Sequence, residues 1–120
     1  MTFRYVLAAL AIALAVAGGP AAADDSGRQE ASSQQDRQTQ AELVQQGKAL
    51  YAHRCSHCHG FNMVSAGTVT YDLRTFPRDQ GDRFLESVVN GKNDRMPPWG
   101  DVLSLDEIEA IWAYVVTRGK

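Results

Sequence analysis

Cys55, Cys58 and His59 are the residues of this 120-residue chain whose types and spacing could do chemistry as a unit. They form C-x-x-C-H, the pattern of covalent c-type haem attachment. Each thiol adds across one vinyl group of the porphyrin, so both sulfurs must stand on one side of a single tight turn. His59, next in the chain, is then carried beneath the ring, where its imidazole can bind iron from the proximal side. Other uses of two cysteines account less well for the histidine. A Cys55–Cys58 disulfide closes too small a loop to staple a fold. A thioredoxin-like redox pair needs a strand–helix setting, and no strand-like run precedes Cys55. Zinc needs four convergent ligands; Cys55, His57, Cys58 and His59 are strung too closely to close one tetrahedron.

A six-coordinate iron needs a second ligand opposite His59. His53 and His57 lie on the same local turns as His59 and cannot reach the far face, so they read as surface histidines. Met63 is only four residues past His59 and reads as core filling. Met96 lies 41 residues past Cys55, in a loop stiffened by Pro97 and Pro98. It is the expected distal ligand. Thioether sulfur favours the ferrous state and raises the potential relative to a His/His pair. With both axial positions filled, no site stays open for oxygen or peroxide, which points to electron transfer and not to catalysis. Buried haem propionates need donors or cations. Tyr71, Arg74, Arg95 and Trp99 could supply them, and Trp99 and Arg74 are the expected pair.

These groups need elements to hold them. From about Ala41, Leu43, Val44, Gly47, Leu50 and Tyr51 recur at three- and four-residue spacing, an amphipathic helix running into the haem motif. Gly47 inside that helix costs about 1 kcal/mol relative to Ala, which makes sense if another helix crosses closely there. Between Gly60 and Gly81 the periodicity is lost, as expected of an irregular wrap around the ring. Asp82 is the expected N-cap of a short helix burying Phe84, Leu85, Val88 and Val89, and Asn90-Gly91 supplies its stop. Ser104 and Glu107 form a capping box. Ile108, Ile111, Trp112, Val115 and Val116 then make one apolar stripe. The expectation is three helices joined by long loops, with no sheet.

The first residues carry an address. Arg4, the apolar run from Tyr5 to Ala17, and Ala21-Ala22-Ala23 before Asp24 have the three regions of a secretory signal peptide over 1–23, and the run is short for a membrane span. Residues 24–40 have almost no apolar side chain and read as a disordered N-terminus of the mature chain. The domain is expected over 41–120. Without residues 1–23, which hold the single charge of Arg4, 11 Lys+Arg face 14 Asp+Glu, a net charge of −3. That balance argues against nucleic acid. A mature chain of under 100 residues has a modest core of its own, and a covalently fixed apolar cofactor would supply much of what is lacking.

Cys55-x-x-Cys58-His59, the preceding helix with Gly47 and Tyr51, the late Met96 and the terminal helix with Trp112 together resemble a small class I cytochrome c. The resemblance covers about residues 40–120. It implies an all-α fold of three to four helices around one covalent haem c, with the N- and C-terminal helices crossing near Gly47. The tract from Tyr71-Asp72-Leu73-Arg74 through Phe76-Pro77 to Met96-Pro97-Pro98-Trp99-Gly100-Asp101 is more distinctive. It is similar to the periplasmic cytochrome c-550 type that serves quinoprotein (PQQ) alcohol dehydrogenases. This implies a monomeric periplasmic electron carrier with such a dehydrogenase as donor and an oxidase or another cytochrome as acceptor. A tightly bound cytochrome subunit of a dehydrogenase or oxidase complex, and a haem enzyme or gas sensor with an open distal site, are the alternatives. One departure concerns the histidine. Many class I members have a proline about a dozen residues after it, where a backbone carbonyl holds the imidazole N–H. Here Ser65-Ala66-Gly67-Thr68 contains none, so some other carbonyl must orient His59.

Overall fold

The computed structural model describes residues 25–65, 67 and 69–120. The signal peptide expected over 1–23 lies outside the described residues. Four helices follow in order: α1 (Asp25–Arg54), α2 (Ser56–His59), α3 (Gly81–Asn90) and α4 (Leu105–Val115). Two 3-10 turns, Phe61–Met63 and Leu73–Thr75, lie between α2 and α3. Among the described residues there is no strand, only an isolated antiparallel bridge between Lys92 and Met96. The architecture is all-α.

The core is built where α1 crosses α4. Gly47 is buried, and a Cβ there would stand 1.8 Å from the Ala110 carbonyl oxygen. Only a residue without a side chain lets the two backbones meet at this point. One turn on, Tyr51 and Tyr114 pack with ring centroids 5.3 Å apart and planes tilted by 60°. Such a pair contributes roughly 0.5–1.5 kcal/mol beyond its buried area. Met63, Ile108, Ile111 and Val115 fill the space around them. Phe76, Phe84 and Trp112 form a second aromatic group, with Phe84 and Trp112 centroids 5.0 Å apart.

Helix α1 starts earlier than the hydrophobic period implies. Residues 25–40, where disorder was expected, are helical and continuous with the packed part of α1. Gln, Glu, Arg and Ala favour helix, no proline interrupts, and Ser32, Ser33 and Thr39 donate back to the Gln29, Glu30 and Gln35 carbonyls. The lack of apolar side chains shows instead in packing: residues 27–42 are all exposed.

Helix α4 starts where its capping box places it. Ser104 Oγ accepts from the Glu107 N–H at 3.2 Å, and Glu107 Oε2 accepts from the Ser104 N–H at 2.8 Å. Helix α3 differs in detail, because its N-cap is Gln80 and not Asp82. The turn after Pro77, closed by the Gln80 N–H on the Pro77 carbonyl, begins the winding two residues sooner. Asp82 then sits in the first turn, where the positive end of the helix dipole favours its carboxylate. Gly91 stops α3 at φ 74° and ψ 179°, an extended positive-φ conformation that glycine alone adopts readily.

Candidate haem site

The chain breaks its winding at Cys55, between α1 and the short α2, but backbone bonds span the break. The Cys55 N–H bonds the Tyr51 carbonyl at 2.9 Å, and the Cys58 and His59 N–H groups bond the Cys55 carbonyl at 3.2 and 2.9 Å. Cys55, Cys58 and His59 therefore share one helical turn. Both thiols are free, Cys55 half-buried and Cys58 exposed. Burial, with a smaller contribution from Cys58 beside it, pushes the Cys55 thiol up to about 11. A nucleophilic redox cysteine is tuned the other way. The winding ends at Gly60, whose φ of 78° turns the chain away. A Cβ there would meet the Val64 carbonyl oxygen at 1.8 Å. The Tyr51 hydroxyl donates to the Gly60 carbonyl at 2.8 Å, tying this exit to the core.

His59 is oriented from behind. Its Nδ1 lies 3.2 Å from the Tyr71 carbonyl oxygen. A carbonyl can only accept, so Nδ1 carries the proton and Nε2 keeps a lone pair. Burial lowers the His59 pKa, more than the Tyr71 bond raises it. The neutral imidazole that can bind a metal is thus favoured. Tyr71 supplies the accepting carbonyl, 12 residues past His59, the spacing at which many class I members place theirs; Ser65-Ala66-Gly67-Thr68 lies too early in the chain. Composition gives no signal for it, because every residue type has a carbonyl.

Met96 and Trp99 lie on the strap that follows α3. Lys92 and Met96 exchange both backbone hydrogen bonds, at 2.9 and 3.0 Å, around Asn93 and Asp94, each at φ 54°. Rigidity at Met96 therefore comes from this small closed loop as well as from Pro97 and Pro98. A hollow of about 310 Å³ lies beside it, lined by Met96, Gly91 and the two prolines among others. The Trp99 N–H bonds the Val88 carbonyl at 2.9 Å and the Gly100 N–H bonds Val89, folding the strap back on α3. Met96 and Trp99 are both half-buried and pack against the core.

Arg74 is already engaged. Its Nε donates to Asp72 Oδ1 at 2.9 Å and its Nη2 to Asp72 Oδ2 at 2.6 Å. The side-chain bond to Asp72 holds the guanidinium pKa up, and the same bond holds the Asp72 carboxyl below the usual carboxylate range. Two of the three guanidinium nitrogens thus face a carboxylate of this chain. The Asp72–Arg74 fork went unread in the sequence, although an Asp two residues before its partner is a known turn signature. Of the other histidines, His53 and His57 are exposed, and Met63 is fully buried in the core.

The residues fit a covalently held haem. Two thiols stand on one turn, a fixed imidazole offers Nε2, and Phe61, Val64, Val69 and Tyr71 leave apolar surface on the segment just after the motif, Phe61 at 78 % exposure. Residues 42–115 match the family model described as cytochrome c oxidase, cbb3-type, subunit III. The chain belongs to this cytochrome c family. Its cofactor is haem c, covalently attached. This cytochrome is similar to the quinohemoprotein alcohol dehydrogenase ADH IIB of Pseudomonas putida, 39% identical over 79 residues, which are 64% of this chain and 11% of that enzyme. It is also similar to cytochrome c6 of Cladophora glomerata, 37% identical over 87 residues, 62% of this chain and 88% of that protein. The cbb3-type cytochrome c oxidase subunit FixP of Azorhizobium caulinodans is 28% identical over 81 residues, 63% and 27% of the two chains. The cytochrome thus spans about a tenth of the dehydrogenase but most of a cytochrome c6. No solved structure matches it. No described helix is long and apolar enough to cross a membrane.

Proposed function

We propose that this cytochrome is a periplasmic one-electron carrier, not an enzyme, with Cys55 and Cys58 as the haem attachment points and His59 and Met96 as axial ligands. Haem c, when bound, supplies an iron that takes up and gives back one electron. The observation that carries this reading is the bond from His59 Nδ1 to the Tyr71 carbonyl, which leaves Nε2 as the ligating atom. The bond also raises the basicity of the imidazole. The Lys92–Met96 bridge fixes the backbone that presents the Met96 thioether. Phe61, Val64 and Val69 provide apolar cover against water, and Trp99 with the remaining nitrogen of Arg74 serves the propionates.

The donor we propose is a PQQ-dependent alcohol dehydrogenase, and the acceptor a terminal oxidase or another cytochrome. Identity with the cytochrome part of a quinohemoprotein alcohol dehydrogenase supports the donor, and likeness to an oxidase subunit supports the acceptor. Stopped-flow mixing of the oxidised protein with such a dehydrogenase and its alcohol tests the donor. Fast haem reduction is the expected result; no reduction would remove the partner while leaving the carrier. The same likenesses favour a second reading, a cytochrome subunit bound tightly in a dehydrogenase or oxidase complex. Size exclusion of the native protein, with and without detergent, separates the two, and a free monomer is expected. An open-site haem enzyme or gas sensor would instead bind carbon monoxide in the unmodified reduced protein.

A further inference from the structure

We propose that Asp72 is a positioning residue for His59: by clamping the chain just after Tyr71, it aims the Tyr71 carbonyl at the imidazole Nδ1–H. The inference rests on His59 being an axial ligand. The carbonyl that His59 meets belongs to the peptide unit joining Tyr71 to Asp72. That unit is planar, so the placement of Asp72 sets the direction of the Tyr71 C=O.

Asp72 is held from three sides. Its Oδ1 accepts the Arg74 N–H at 3.0 Å and Arg74 Nε at 2.9 Å, and its Oδ2 accepts Arg74 Nη2 at 2.6 Å. Its carbonyl accepts the Thr75 N–H at 3.0 Å and the Thr75 hydroxyl at 2.8 Å. These bonds wind Leu73–Thr75 into its 3-10 turn. Phe76 then follows, buried and edge-on to the Tyr71 ring at 6.0 Å. Among the described residues of 65–70, the hydrogen bonds join only Ser65 and Gly67. The bonds at Asp72 fix the peptide unit that carries the Tyr71 carbonyl. The charged groups within the clamp are Asp72 and Arg74 alone, and both are part-exposed. Water competes for their charge–charge attraction, so the geometry of the five bonds is what holds the turn.

A hydrogen bond from Nδ1 makes the imidazole a stronger donor, which favours ferric iron. Weakening that bond should raise the reduction potential. The test uses the haem-loaded protein, its Asp72→Ala, Asp72→Asn and Thr75→Val variants, and two readouts. One is the reduction potential; the other is the exchange rate of the His59 Nδ1 proton, followed by NMR in the ferric state. Asp72→Ala is expected to shift the potential upward and to exchange the proton several-fold faster. Asp72→Asn keeps an acceptor for the Arg74 N–H and should shift both readouts less, in the same direction. If Asp72→Ala fails to load haem, Asp72→Asn and Thr75→Val carry the test. A lowered melting temperature with unchanged potential and exchange would mean a merely structural role and would overturn the proposal. Absence of any paramagnetically shifted His59 signal in the parent protein would instead overturn the ligand assignment, so the two failures are told apart.

Discussion

Gly47 of α1 and Ala110 of α4 meet so closely that the Ala110 carbonyl oxygen lies where a Cβ on Gly47 would go. Two effects oppose each other at this site. Alanine would favour the helix by about 1 kcal/mol. The clash is with backbone, which has no rotamer to yield, and overpacking of this kind costs typically 1–3 kcal/mol. Gly47→Ala is therefore expected to destabilise the haem-loaded protein, and Gly47→Val to do so further. Denaturant unfolding checks this, and an unchanged or raised midpoint in Gly47→Ala would contradict the close crossing.

Gly91 controls the loop that carries Met96. It has φ 74°, and a Cβ there would lie 2.5 Å from the Met96 carbonyl oxygen and 2.9 Å from Pro98 N. With ψ at 179°, this is an extended positive-φ backbone open essentially to glycine alone, and it costs an L-residue about 1–3 kcal/mol. Gly91→Ala should lower stability by at least that amount and push the Met96 carbonyl off the Lys92 N–H. Its ferrous form is then expected to take up carbon monoxide where the parent does not. Parent-like spectra with and without carbon monoxide would count against the role of this loop.

The Asp72–Arg74 pair sets a pH dependence whose sign can be worked out. The Arg74 side chain, followed by the Arg74 backbone N–H and the guanidinium charge, holds the Asp72 carboxyl below its ordinary value of 3.8. A carboxyl lowered in the folded state stabilises the fold above its unfolded pKa, and that contribution fades as pH falls through the folded value. The parent should thus exceed Asp72→Asn in stability near neutral pH. The gap should narrow below 3.8, where a protonated Asp comes to resemble Asn. The effect is small and weakened by salt, because both groups are part-exposed. Unfolding free energies across that pH range test the sign; a gap that widens on acidification would contradict it.

What could be read from residue order was whatever depends on local pattern. Ser104 and Glu107 announced the start of α4, the apolar stripe named Ile108, Ile111 and Val115, and Gly47 marked the crossing. The C-x-x-C-H turn needs only its own residues. The carbonyl on His59 leaves no trace in residue type; its spacing of 12 residues is the one the resemblance implies, but Tyr71 is no proline and so does not mark it. The Lys92–Met96 bridge depends on two successive left-handed residues. Asn93 and Asp94 tolerate that conformation but do not require it. Residues 25–40 misled because low hydrophobicity argues against burial, which is indeed absent, but says nothing against a solvated helix.

The assignment of Met96 as the group opposite His59 decides between a carrier and a haem protein with an open site. The most direct measurement is the reduction potential of Met96→Ala, together with carbon monoxide binding to its ferrous form, each compared with the parent. Loss of the thioether removes a weak donor that favours ferrous iron, so the potential should fall and carbon monoxide should bind only in the variant. An unchanged potential and spectrum in Met96→Ala, or carbon monoxide binding already in the parent, would contradict a His59/Met96 electron carrier.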